Sequence, residues 1–197
     1  MSAPEIFAAI AAGDHEAARA VLAADPSAAS ARDQAGLSAV LAAQYRHDHR
    51  MVELLMSASP ALDVFDAAAL GDCERLTTLL DADPSLAHAY AGDGHLPLGL
   101  AAYFGRPEAV RLLLDRGADV SATARNPMRV QALHAAVAGR NLESVRMLLA
   151  AGADPKAQQH GGWTPLMAAH QHGYDDIAAA LRAAGAQPPS GNRPTTS

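Results

Sequence analysis

The chain is poor in the residues that usually carry covalent or metal chemistry. Its single cysteine, Cys73, cannot form an internal disulfide, and no cysteine pair offers metal-ligand spacing. That usage fits a reducing compartment, so the cytoplasm is the expected location. No G-x-S-x-G, H-E-x-x-H, phosphate-loop or dinucleotide glycine motif occurs. No catalytic residue, cofactor or metal site is therefore expected. Apolar runs stay far short of the roughly 18 residues that a membrane span needs. The amino-terminal stretch MSAPEIFAAIAAGDHE has no basic segment before its apolar residues, so no secretory signal is expected. Basic excess is also missing. A formal net charge of −6 gives no general attraction to nucleic acid or to an anionic membrane. Aromatic residues are scarce, eight in 197, so large rings cannot fill the core.

Half the chain is nonetheless apolar, and most of that is alanine and leucine. Alanine is small and the best helix former, which suits short helices packed side by side. The leucines recur in register. The second member of a Leu-Leu-like pair falls at Leu22, Leu55, Leu80, Leu113, Leu148 and Leu181. Fifteen residues before each stands an apolar partner: Phe7, Val40, Phe65, Leu98, Leu133 and Leu166. Each unit reads as a short Ala-rich helix, a turn and a second helix. The first-helix markers are spaced by 33, 25, 33, 35 and 33 residues. No such unit can bury its apolar side alone, so the units must stack. The short step removes about eight residues after the second unit. The long step adds two residues within SATARNPMRVQ, between the fourth and fifth.

Gly162-Trp163-Thr164-Pro165-Leu166-Met167-Ala168-Ala169 resembles the ankyrin pattern G-x-T-P-L-H-x-A. The endings Leu112 to Asp119 and Leu148 to Asp154 are similar to its L-L-x-x-G-A-D close. The chain departs from the pattern at Gly99 and Met167, where the family commonly has histidine, and at Gln131-Ala132, which replaces Thr-Pro. His134 keeps the histidine. The resemblance, which extends to small bacterial ankyrin proteins, implies an all-α repeat solenoid with projecting β-hairpin loops and a concave protein-binding face. One domain over residues 1–186 is expected, with units at 4–35, 36–61, 62–93, 94–128, 129–161 and 162–186. Residues 187–197, rich in Pro, Ser and Thr, read as a disordered tail.

The resemblance also implies where a partner would bind. The variable positions before each inter-helix turn include Gln44, Tyr45, Tyr103, Phe104, Gln171 and His172. The hairpin positions before the motif threonine include His95, Val130 and Trp163. Aromatic residues concentrate binding energy when a partner buries them. Trp163 and Phe104 have a second reading, as packing between repeats. Arg125, Arg129 and Arg140 fall in a stretch, 120–142, that holds no acid. Arg125 and Arg129 either meet carboxylates on a partner or brace the longer loop against Asp119 or a carbonyl. The candidate partner-binding set is Tyr45, His95, Tyr103, Phe104, Arg125, Arg129, Val130, Trp163 and Gln171.

Other features read as ordinary structure. His134 is expected to bond within and between repeats. His170 and His172, two apart on a short helix, do not share a face. His47-Asp48-His49 sits at a turn. Cys73 lies near a helix start, where a lowered thiol pKa is one reading and a half-buried structural residue the other. The expected function is non-catalytic protein binding. A regulatory or inhibitory subunit of an enzyme is the first alternative, and a small-ligand protein or enzyme with a cleft between repeats is the second. Nucleic acid ranks below these, and no membrane partner is expected.

Overall fold

The structure, a computed structural model, describes residues 2–187. The expected disordered tail lies, beyond Gln187, outside the described residues. Twelve α-helices form six antiparallel pairs among them. The inner helices are α1 (Ser2–Ala12), α3 (Ala39–Tyr45), α5 (Val64–Leu70), α7 (Pro97–Tyr103), α9 (Ala132–Ala138) and α11 (Pro165–Gln171). The outer ones are α2 (His15–Ala24), α4 (His49–Ser57), α6 (Cys73–Ala82), α8 (Pro107–Asp115), α10 (Leu142–Ala150) and α12 (Asp175–Ala183). The architecture is the all-α solenoid that the register predicts.

Local chemistry explains where these helices begin. Asp14, Asp48, Asp72 and Asn141 cap outer helices by accepting backbone N–H groups of the first turn. Ser38 and Thr164 do the same for α3 and α11. Proline opens α7, α8 and α11, where its missing N–H costs nothing. Once the helices stand side by side, the spacing of alanine and leucine forms the core. Leu55, Leu113, Leu148, Leu166 and Ile177 are wholly buried, and Ala67, Ala101, Ala109 and Ala136 let backbones approach.

The Asp-Pro segments after the first and third pairs form 3-10 helices at Pro26–Ser30 and Pro84–His88. In each, the preceding aspartate accepts from the serine N–H at 3.0 Å and from its hydroxyl at 2.6 Å.

Projecting fingers connect the pairs. They contain only isolated bridges, Arg32 with Ser38 and Thr123 with Gln131, and no extended strand among the described residues. Three fingers are closed by a backbone bond spanning four residues: Asp33 to Leu37, Ala91 to His95 and Gln159 to Trp163, each 2.9 Å. In the finger between α8 and α9 the equivalent bond runs from Ala124 to Val130 at 2.8 Å. It spans two residues more, as the 35-residue step requires.

The missing finger has a less expected effect. The 25-residue step suggests that the second pair simply closes up against the third. Inner helices α3 and α5 do pack together, but outer helices α4 and α6 make little contact, unlike every other outer neighbour pair. Buried apolar residues accordingly fall into two main clusters, one from Ile6 to Leu62 and one from Val64 to Ala186. A small third cluster of Leu41, Ala69 and Leu100 bridges them on the inner side. Fingers one and three meet directly, so that a Cβ on Gly92 would lie 1.8 Å from the Ala35 carbonyl oxygen. The junction is a wedge, closed at the fingers and open outside.

Polar residues stitch this wedge. Arg32, from the first finger, pairs with Asp63 at 2.9 Å and approaches Asp66 at 3.9 Å. The buried Ser38 hydroxyl donates to Asp66, which is 1% exposed and completes a capping box with Asp63. Burial, followed by the charge of Asp63, pushes the Asp66 pKa up from 3.8 to about 6. The native state therefore binds this proton more tightly than the unfolded chain. The Asp66 contribution to stability is full below pH 3.8 and is lost as pH rises through about 6. Urea denaturation between those values should show an acid-favoured component of at most about 1.4 kcal/mol per pH unit. Asp66→Asn should remove it. An unchanged pH dependence in that variant would refute the assignment.

Candidate functional site

On the inner face, α7, α9 and α11 together with the last two fingers enclose an open groove of about 540 Å³. The inner helices α7 and α11 end in residues just before their turns, Tyr103 and Gln171, which line this groove. The lining includes Tyr45, His95, Tyr103, Val130, Trp163 and Gln171. Six of the nine candidates from the sequence are thus brought to one place. Tyr45 extends the groove across the wedge into the second pair.

Phe104 lies beside this set. Its ring centroid is 5.0 Å from Tyr103, edge to face, and 5.5 Å from Tyr45. It packs on the small inner cluster with Leu37 and Phe65. Phe104 thus supports the two tyrosines that line the groove. The Tyr45 hydroxyl donates to Asp93 at 2.6 Å, linking the second inner helix to the third finger. Burial, reinforced by the Asp93 carboxylate, raises the Tyr45 phenol above its usual range. Its proton stays in place at physiological pH. Gln44, by contrast, is 4% exposed and presents nothing to a partner.

Arg125 and Arg129 sit on the long finger, exposed and outside the groove lining. Neither braces against Asp119, which accepts instead from the Ser121 N–H and hydroxyl at 2.8 and 2.7 Å. The Arg125 guanidinium lies 3.9 Å from the centroid of the Tyr90 ring, while its backbone N–H donates to the Gly94 carbonyl.

Two groove features were not nominated from the sequence as partner-binding. Met128, at the tip of the long finger, is 48% exposed and lines the groove. Its position within the lengthened stretch SATARNPMRVQ was the available signal. Gly99, in the middle of α7, leaves open space where a Cβ would stand, so the groove deepens there.

Two histidines hold structural bonds. His134 is 5% exposed, and its Nε2 donates to the Ala157 carbonyl at 3.2 Å. Burial lowers its pKa, so it is neutral at pH 7. Asp48 both caps α4 and meets His15 Nε2 at 2.9 Å. Burial, then the charges of Glu108 and Asp72, raise the Cys73 thiol pKa, so the lowered-pKa reading is corrected. Among the described residues no three His, Cys, Asp or Glu side chains are grouped to hold a metal. No described helix is long and apolar enough to cross a membrane.

Stacked helix pairs with fingers along one edge and an aromatic groove beside them define a repeat protein of the binding type. Residues 6–159 and 131–192 match the family model of ankyrin repeats in three copies. The chain belongs to the ankyrin-repeat family. It is similar to the potassium channel AKT1 of Arabidopsis thaliana, 40% identical over 93 residues, which are 47% of this chain and 10% of the channel. A probable E3 ubiquitin-protein ligase, XBOS31, of Oryza sativa subsp. japonica is 37% identical over 135 residues, 64% of this chain and 28% of that protein. Human protein phosphatase 1 regulatory subunit 27 is 45% identical over 67 residues, 34% of this chain and 44% of the subunit. The chain thus spans less than half the length of each of these three relatives. All three are eukaryotic, so the expected bacterial likeness gains no support from them.

Proposed function

We propose that the chain is a non-catalytic binding module that holds a segment of a partner protein in the groove between the inner helices and the last two fingers. The observation that carries this reading is the groove itself, about 540 Å³, lined by Tyr45 and Tyr103 at the ends of inner helices and by Met128 and Trp163 from the fingers. Aromatic anchors on a preorganised surface concentrate affinity at low entropic cost. The family supports the same reading, since its matched model describes a repeat rather than a catalytic domain. The cytoplasm is the compartment we propose.

Tyr103 is half-buried, so its truncation removes contact area without opening the core. Tyr103→Ala should weaken retention of a captured partner at least about tenfold, equivalent to about 1.4 kcal/mol. Quantitative affinity capture with both proteins, and circular dichroism to verify equal folding, would measure this. Equal retention would place the binding face elsewhere.

A second reading follows from one relative's printed name, a regulatory subunit of a phosphatase. The captured partner would then be an enzyme whose rate changes on binding. Assaying that enzyme with and without the chain separates regulation from simple tethering.

A further inference from the structure

Around the groove stand three arginines that have no carboxylate within ion-pair distance among the described residues: Arg125, Arg129 and Arg140. Two of them are positioned by aromatic rings. Arg125 lies 3.9 Å over the Tyr90 ring. Arg140 lies 5.3 Å over Tyr174, whose ring stacks at 5.4 Å on the groove residue His172. Stacking on a ring orients a guanidinium but leaves its N–H edges free to meet a carboxylate. Arg129 has left-handed backbone, φ 52°, and its N–H donates to Asn126 Oδ1 at 3.0 Å. The amide nitrogen of Asn126 in turn donates to His95 Nε2 at 3.1 Å, tying the long finger to the groove wall.

The groove lining contains no carboxylate, although the chain carries a net charge of −6. Asp93, two residues before the lining residue His95, is already engaged by the Tyr45 hydroxyl. Arg129 follows α8 on the finger side, between the lining residues Met128 and Val130. Arg140 lies at the other end of α9, two residues after the lining residue Ala138. The seven residues of α9 separate these edges by roughly 10 Å.

We infer that the groove selects an acidic segment: a large apolar side chain seated among Tyr103, Met128 and Trp163, with carboxylates on both sides reaching Arg129 and Arg140. This rests on the reading that the groove binds a protein segment, and it adds the partner's chemistry. Charge complementarity of this kind steers encounter and rejects basic competitors.

The test is selection from a random peptide library displayed on phage. The full chain serves as bait and Tyr103→Ala as the counter-selecting bait. The expected result is peptides with a Trp, Phe or Leu flanked on both sides by Glu or Asp. By fluorescence anisotropy, the combined variant Arg129→Glu, Arg140→Glu should bind such a peptide about tenfold or more weakly. Raising salt should weaken the wild-type complex, whereas the variant's affinity should hold or rise as the repulsion between its new carboxylates and the peptide is screened. Peptides that depend on Tyr103 yet lack acidic residues would overturn this inference and leave the groove reading intact. If no peptide distinguishes wild type from Tyr103→Ala, the groove reading falls as well. Equal or tighter binding of a single-stranded DNA oligonucleotide at the same site would also overturn it.

Discussion

Gly139→Ala is expected to destabilise the protein by about 1–3 kcal/mol although it adds one methyl group. Gly139 ends α9 with ordinary negative φ, −76°, so backbone strain does not enter. The cause is proximity. A Cβ there would lie 2.0 Å from the Tyr103 carbonyl oxygen and 2.8 Å from its carbonyl carbon. These are backbone atoms, which cannot swing aside as a side chain does. α7 and α9 would have to separate where Ala101, Ala102, Ala135 and Ala136 allow their close approach. Tyr103, which lines the groove, would move with its backbone, so ligand affinity should fall together with stability. Gly99→Ala provides a contrast within the same groove. Nothing lies within 4 Å of the added Cβ, and the residue sits inside α7. Alanine should there be neutral or stabilising by about 0.5–1 kcal/mol, because it restricts the unfolded chain. The denaturant midpoint should fall for Gly139→Ala and hold or rise for Gly99→Ala. A common direction would show that α7–α9 contact does not govern the effect.

Leu148→Ala and Leu55→Ala should each cost about 2–5 kcal/mol, since both side chains are wholly buried and each truncation leaves a cavity. The location of the damage distinguishes them. Leu148 belongs to the large cluster after the junction and Leu55 to the cluster before it. In a stacked array, stability passes mainly between neighbouring units. At the junction this coupling rests on inner-side packing and the Arg32 network, because α4 and α6 scarcely meet. Hydrogen exchange should therefore show protection lost first on the side of each substitution, with the boundary near residues 58–63. Uniform loss along the whole chain would mean that the two clusters unfold as one.

The helices, their pairing and the two irregular steps were legible in the sequence because they are written at short range. A leucine pair, a turn glycine and an alanine-rich face each act within one unit. The 3-10 helices were also within reach, since Asp-Pro-Ser presents a capping side chain followed by a proline at the first position. Six groove residues could be nominated because the family's register assigns them a side. The missed features depend on stacking geometry. Tyr45 meets Asp93 across 48 residues only because a finger is missing between them. Met128 gave no periodic signal, as it belongs to neither helix. Arg125 needed Tyr90, from a different finger, to reveal how it is held.

The wedge after the second pair has a mechanical consequence. Its finger side is already in backbone contact at Gly92 and Ala35, whereas its outer side has little to resist approach. A load that draws α4 and α6 together would part the fingers and strain the Tyr45–Asp93 and Arg32–Asp63 contacts. The opposite load compresses backbone against backbone and stops at once. The junction is thus asymmetric, in backbone contact and bridged by the Tyr45–Asp93 bond on the finger side and unsupported between α4 and α6.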